Sequence, residues 1–189
     1  AKNLKDDEFY TTYETIESEV AHYLSHFFNK TVLCNCDDPF ESNFCRFFLK
    51  NFNVLGLRRL ICTSYYSSPV AETQLSFFDI HQRKIEKKEG YVLDVTKYSN
   101  SVSEVSDEEI AKFLQTKNVI KKLKGNGDFR SPECIEYLKI SDIVVTNPPF
   151  SLFKEIVTEI MRYEKKFLII GNQNAITYKE IFPLIQNNE

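Results

Sequence analysis

Residues 143–150 read Ile-Val-Val-Thr-Asn-Pro-Pro-Phe, a short apolar run that stops at a turn carrying an amide, two prolines and a ring. Such a set can grip a planar group that bears an amine. The exocyclic amine of adenine or cytosine, or a carboxamide nitrogen, has two N–H donors and a lone pair delocalised into its π system, so it attacks electrophiles poorly until two acceptors take its hydrogens. Asn147 can offer its side-chain oxygen. Pro148 can offer a backbone carbonyl of limited direction, because proline restricts φ and holds the residue before it extended. Accepting both hydrogens moves the nitrogen toward sp3 character and frees its lone pair. Phe150 can stack on the base, a contact worth about 1–3 kcal/mol for nucleobase–aromatic pairs. Taken alone, Asn-Pro-Pro reads equally well as a strand-terminating turn.

The flanking segments weigh against that plainer reading. Asp142-Ile143-Val144-Val145 is a β-branched, strand-like run, and Ser151 is expected to cap a helix whose apolar positions Leu152, Ile156, Val157, Ile160 and Met161 recur at helical spacing. Phe167–Ile170 then makes a second strand. Strand, loop, helix, strand is a parallel unit of right-handed crossover. The turn therefore falls at the carboxyl end of a parallel strand, where α/β proteins bind ligands.

The run Asp-Ile-Val-Val-Thr-Asn-Pro-Pro-Phe-Ser-Leu-Phe, with Lys-Phe-Leu-Ile-Ile-Gly-Asn and Ile-Thr-Tyr-Lys-Glu-Ile-Phe after it, resembles the catalytic region of the EcoRI-type adenine-specific DNA methyltransferases. Val32–Pro39, Glu41–Phe44 and Gly127–Ser131 resemble further blocks of that family, and the likeness spans most of residues 9–185. Glutamine and some RNA methyltransferases share the Asn-Pro-Pro-Phe motif, so the ordered set of blocks is the more specific signal. The resemblance implies an α/β fold: a Rossmann-like, mostly parallel methyltransferase sheet flanked by helices. It implies transfer of a methyl group from S-adenosylmethionine to the N6 amine of an adenine flipped out of DNA, as in restriction-modification systems. Asn147, Pro148, Pro149 and Phe150 would form the catalytic loop. Tyr10, Thr11 and Thr12 would touch the methionine end of the cofactor, Cys36, Asp37, Asp38 and Pro39 would form its first loop, and Asp128 and Phe129 would lie near its adenine, with Asn147 adjoining it. One departure stands out: the first cofactor loop is usually glycine-rich so that backbone can approach the ligand, and residues 34–43 contain no glycine. Methylation of a protein glutamine or of RNA, and a non-catalytic cofactor-binding fragment, are the alternatives. A methyltransferase of this type needs about seven strands and a DNA-reading region, so the chain is expected to be a catalytic domain over 1–189, incomplete at its C-terminus, with a β-rich insertion around 65–100 and weak activity by itself.

Composition bounds the rest. Hydrophobic residues make up 42% and charged residues 27%, which suits a globular domain. No apolar run approaches the roughly 20 residues of a membrane span, and no signal-peptide pattern opens the chain. Five cysteines in 189 residues do not form a disulfide framework, so reduced thiols and a cytoplasmic location are expected. The net charge of −3 offers a DNA backbone little overall attraction. Basic groups at Lys50, Arg58 and Arg59, at Arg83, Lys84, Lys87 and Lys88, and at Lys117, Lys121, Lys122 and Lys124 are read first as solvated faces, the last being the best DNA candidate because it leads toward Asp128. His22, His26, Cys34 and Cys36 lack zinc-site spacing, and no metal is expected. Of Asp37 and Asp38, one is expected to face the cofactor and the other to cap a helix starting near Glu41.

Periodicity places a helix over 13–28, a strand at Thr31–Cys36, a helix carrying Phe44, Phe47, Phe48 and Phe52 that ends near Gly56, and a strand at Leu57–Ser64. Leu75–Ile80 and Tyr91–Val95 alternate like strands of a hairpin or of an extension of the sheet edge. Ser106-Asp107-Glu108-Glu109 is a capping box opening a helix to about Gln115, and Ser131-Pro132 opens another to Lys139. A last helix is expected over Tyr178–Gln186, shortened or kinked by Pro183.

Overall fold

A computed structural model describes residues 11–65, 90–98, 105–116, 119–171 and 173–187. Its strands are β1 (Thr31–Asn35), β2 (Arg59–Ser64), β3 (Tyr91–Val95), β4 (Ile120–Lys122), β5 (Ile143–Thr146) and β6 (Lys166–Ile169). The helices are α1 (Tyr13–Ala21), α2 (Asn43–Lys50), α3 (Asp107–Leu114), α4 (Pro132–Ile140), α5 (Phe153–Arg162) and α6 (Phe182–Asn187). One six-stranded sheet runs in the order β4-β3-β2-β1-β5-β6. β1 pairs in parallel with β2 and β5, and β5 with β6; β3 is antiparallel to both β2 and β4. Among the described strands only β3 therefore runs against the others, and the expectation of a mostly parallel α/β sheet holds.

Period-two alternation sorts the strand residues onto two faces. Val32, Cys34, Leu60, Cys62, Leu93, Val95, Ile143 and Val145 meet α1, α2 and α3 through Ile16, Val20, Phe44, Phe48, Ile110 and Leu114. Leu33, Ile61, Val92 and Val144 meet α4 and α5 through Cys134, Leu138, Ile156 and Ile160. Strands buried on both faces need continuous apolar runs, which is why β1, β2 and β5 read that way. The result is three layers, in which the central strands are covered on both faces while the edge strands β4 and β6 stay partly open to solvent.

Several local expectations hold in detail. Ser106 and Glu109 form the reciprocal capping box of α3, and Ser131 caps α4 with Pro132 in its first turn. Others are corrected. The helix expected over 13–28 closes at Ala21 with His22 as C-cap, and a separate 3-10 turn, Leu24–Phe27, buries Phe27 while leaving Leu24 exposed. Ser151 is not the N-cap of α5; it lies within a 3-10 turn, Phe150–Leu152, and Leu152 precedes the helix without a side-chain cap bond. The last helix begins only at Phe182, because a 3-10 turn at Gln173–Thr177 precedes it and Pro183 is tolerated only in a first turn. β4, unforeseen, lies inside the basic run 117–124. The expected strand Leu75–Ile80, the basic group at 83–88, Lys117 and Tyr10 lie outside the described residues.

The basic group at Lys50, Arg58 and Arg59 is dispersed into ion pairs. Arg59 meets Asp94 at 2.7 Å, Arg58 meets Asp142 at 2.7 Å, and Lys50 lies 3.9 Å from Asp107. Among the described residues no helix is long and apolar enough to cross a membrane. No group of three or more His, Cys, Asp or Glu there could hold a metal ion.

Candidate functional site

From β1 the chain steps to β2, β3 and β4 on one side of the sheet, then places β5 on the other side of β1. That reversal makes the carboxyl ends of β1 and β5 the topological switch point, where open α/β sheets bind ligands. Cys36–Pro39 leave from β1 and Asn147–Phe150 leave from β5, so the two expected loops open side by side on one edge.

The first loop solves the missing-glycine problem by strain. Cys36 has φ +66°, the left-handed conformation that glycine would adopt without penalty. Asp37 is buried, and its Oδ1 accepts from Ser42 Oγ at 2.7 Å; Asp38 Oδ1 accepts from the Phe40 amide at 2.8 Å. Neither carboxylate caps α2. Ser42 does so, its hydroxyl accepting from the amides of Phe44 and Cys45, because a hydroxyl at that position reaches the orphan N–H groups directly. Thr11 is tied to the same place, its carbonyl accepting from Asn43 Nδ2 at 2.8 Å. Thr12 instead spends its side chain as the N-cap of α1.

The second loop keeps Asn147 and Phe150 partly accessible while Pro148 and Pro149 are buried. The Pro149 carbonyl accepts from the Leu152 amide at 3.0 Å, which fixes the exit into the 3-10 turn. Beneath both loops runs a row of buried polar groups missed by the sequence reading. Thr63 Oγ1 donates to Asn35 Oδ1 at 3.1 Å, and Thr146 Oγ1 donates to the Asn35 carbonyl. It links the carboxyl ends of β2, β1 and β5 and so sets the spacing of the loops. Polar residues ending otherwise apolar strands were the available signal.

The Asp128 block reaches the same edge from the other side. Gly127 has φ +80° and packs against the backbone of Ser64 and Tyr65 at the end of β2. Asp128 sits partly exposed, its amide donating to Asn126 Oδ1 at 3.0 Å. Phe129 turns its ring into the core with Leu123, Cys134 and Leu138. Arg130, also missed, forks onto Asp128 at 2.9 and 2.8 Å and reaches Glu155 at 2.7 Å. The adjacent guanidinium holds the Asp128 carboxyl below the usual carboxylate range. Of the expected site residues, the described ones thus gather along one edge of the sheet, except that the Thr12 and Phe129 side chains are committed to a helix cap and to the core.

The family described as "Adenine-specific methyltransferase EcoRI" matches residues 1–189. The chain is 44% identical over its whole length to Type II methyltransferase M.EcoRI of Escherichia coli, covering 52% of that protein. It is 36% identical over its whole length to Type II methyltransferases M.MgeORF184P of Mycoplasma genitalium and M.MpnI of Mycoplasma pneumoniae, covering 48% of each. The chain thus spans about half the length of the curated relatives it matches. No solved structure matches it.

Proposed function

The chain belongs to the EcoRI-type adenine-specific methyltransferase family, and from that premise we propose that it is the catalytic domain of a restriction-modification DNA methyltransferase. Its substrate is the N6 amine of an adenine turned out of the duplex, and its methyl donor is S-adenosylmethionine. The observation that carries this reading is the opening of Asn147-Pro148-Pro149-Phe150 at the sheet's switch point, directly beside the loop that leaves β1.

The donor set suits such a cofactor. In this reading the crevice between the two loops would take the cofactor: the carboxylates of Asp38 and Asp128, both at the carboxyl edge of the sheet, suit the amino and hydroxyl groups of a nucleoside-bearing amino acid, and the buried Thr63, Asn35 and Thr146 row beneath sets the spacing of the loops. S-adenosylmethionine supplies an activated methyl on a sulfonium, so no strong protein base is required. Asn147 accepts one amine hydrogen on its side-chain oxygen, and the Pro148 carbonyl accepts the other. The lone pair is thereby localised on nitrogen. Phe150 would stack on the extruded base, and the two loops would hold base and methyl donor against each other, so that positioning supplies part of the rate. After transfer the surplus proton leaves to solvent.

In the full-length protein, Asn147→Ala is expected to lower methyl transfer to duplex DNA by about 10²-fold or more, the usual cost of one preorganised polar contact. Its affinity for S-adenosylmethionine should stay within about twofold, because the lost acceptor faces the target amine. An Asn147→Ala enzyme of near wild-type rate would refute the acceptor role. Methylation of glutamine peptides in place of DNA would move the substrate to the alternative class.

A further inference from the structure

We propose that Arg130 is a positioning residue that couples the loop over the β2 exit to the helix behind the catalytic turn, so that filling the cofactor side of the crevice orders the side that receives the target amine. The inference rests on the cofactor reading given above. Three contacts carry it. Arg130 Nε and Nη2 clasp the two oxygens of Asp128, and Nη1 donates to Glu155 Oε2. Between Arg130 and Glu155 the chain leaves the edge through α4 and returns with β5, so this contact joins two loops that are neighbours only in space.

Both ends of the bridge are tied to the site. Asp128 is held by Asn126 through its amide and by the Arg130 amide through its carboxylate, which fixes the turn that Gly127 lays on β2. Glu155 is in the first turn of α5, directly after the 3-10 turn that continues from Asn147-Pro148-Pro149. That helix start has no side-chain cap from Leu152; the 3-10 turn takes the Phe153 N–H, and the Glu155 side chain adds the tie to Arg130. Only arginine suits the role, since a rigid fork with a further N–H serves two carboxylates at once while a lysine is a point charge. Arg130 and Glu155 are each about half exposed (52% and 51%), so the bridge adds little to global stability. Its consequence lies in where the two loops sit relative to one another.

The test titrates the full chain and its Arg130→Ala, Glu155→Ala and double variants with S-adenosylhomocysteine by calorimetry, and follows hydrogen exchange at amides 125–130 and 150–156. Removing both contacts in Arg130→Ala should weaken binding about fivefold, with the double variant no worse than Arg130→Ala alone. In the wild type the ligand should slow exchange in both segments. In Glu155→Ala the slowing should be confined to 125–130, and thermal midpoints should stay within about 2 °C of wild type. A purely structural bridge would loosen 150–156 equally with and without ligand. Persistence of the full ligand response at 150–156 in Glu155→Ala, or its absence in a wild type that binds, overturns the coupling. A wild type that fails to bind S-adenosylhomocysteine overturns the cofactor reading as well, and shows this before any variant is compared.

Discussion

Alanine at three glycines should give three different costs, and the largest should reach the site. At Gly127, φ +80° costs an L-residue roughly 1–2 kcal/mol. A Cβ there would also press on the Ser64 carbonyl oxygen and lie 3.0 Å from the Ser64 carbonyl carbon and 3.1 Å from Tyr65 Cα. These are backbone atoms of the central sheet and cannot swing aside, so overpacking adds about 1–3 kcal/mol. The stiffer unfolded chain returns about 0.4–1 kcal/mol, leaving Gly127→Ala destabilised by about 1–4.5 kcal/mol. Gly56 shares the strained conformation at φ +60°, but its Cβ would meet only the ring of Phe28, which is 70% exposed and free to move. Gly56→Ala should therefore cost only about 1 kcal/mol. Gly125 has nothing within 4 Å of an added Cβ, and Gly125→Ala should fall within about 0.5 kcal/mol of wild type or slightly above it. Urea denaturation of the three variants, read at constant slope, gives the ranking directly. Because relief at Gly127 requires the loop to lift from β2, Gly127→Ala should also weaken S-adenosylhomocysteine binding, whereas Gly125→Ala should not. A Gly127→Ala protein as stable as Gly125→Ala would show that the loop does not lie on the strand as described.

Thiol labelling and alkaline titration probe the same edge and the core beneath it. Cys36 is the one cysteine with a half-buried side chain, the other four being buried, so a thiol reagent at pH 8 should modify one group rapidly and S-adenosylhomocysteine should slow it; labelling of two or more thiols at equal rates would contradict the burial pattern. Burial pushes the Cys34 thiol up to about 11 and moves Cys62 in the same direction. Each folded value lies above its unfolded one, so the stability involved is complete below about pH 9 and is lost as pH rises through about 11, by about 3 kcal/mol for Cys34. Urea midpoints measured from pH 8 to 11 should fall for wild type and fall less for Cys34→Ala, and equal slopes would refute the assignment.

Much of this fold was legible because its central strands are buried on both faces and its helices carry their own start signals. Ser106 with Glu109, and Ser131 with Pro132, are local chemistry and were read correctly. The errors fall where local and tertiary preferences diverge. β4 has only three residues, two of them lysines, which is how a sheet edge protects itself from further pairing and why its pattern reads as a charge run. The helix start after the Asn147–Phe150 turn was misplaced because Ser151 looks like a cap, while a 3-10 turn over Phe150–Leu152 delays the helix to Phe153. The site's main loops were visible as motifs. Arg130, Glu155 and the Thr63, Asn35 and Thr146 row were not, since their partners are 25 to 111 residues apart in sequence and only the sheet order brings them together.

The glycine-free loop after β1 shows how that order substitutes for local sequence preference. A cysteine at φ +66° costs of order 1–3 kcal/mol, and such a conformation persists only where its surroundings over-determine it. Here they do so from both sides. Asn35, immediately before the strained residue, is bound through its side chain to Thr63 on β2 and through its carbonyl to Thr146 on β5. Asp37, immediately after it, is buried against the Ser42 hydroxyl that also caps α2. Asn35, Thr63, Thr146 and Asp37 are buried polar groups that would be costly to leave unmatched, so the loop is held from both sides. Thr146 also directly precedes Asn147, which means that the contact holding the strained loop in place fixes the start of the Asn147–Phe150 turn as well. Placing both loops under one threonine makes the spacing between the loop that leaves β1 and the loop that leaves β5 a property of the sheet itself.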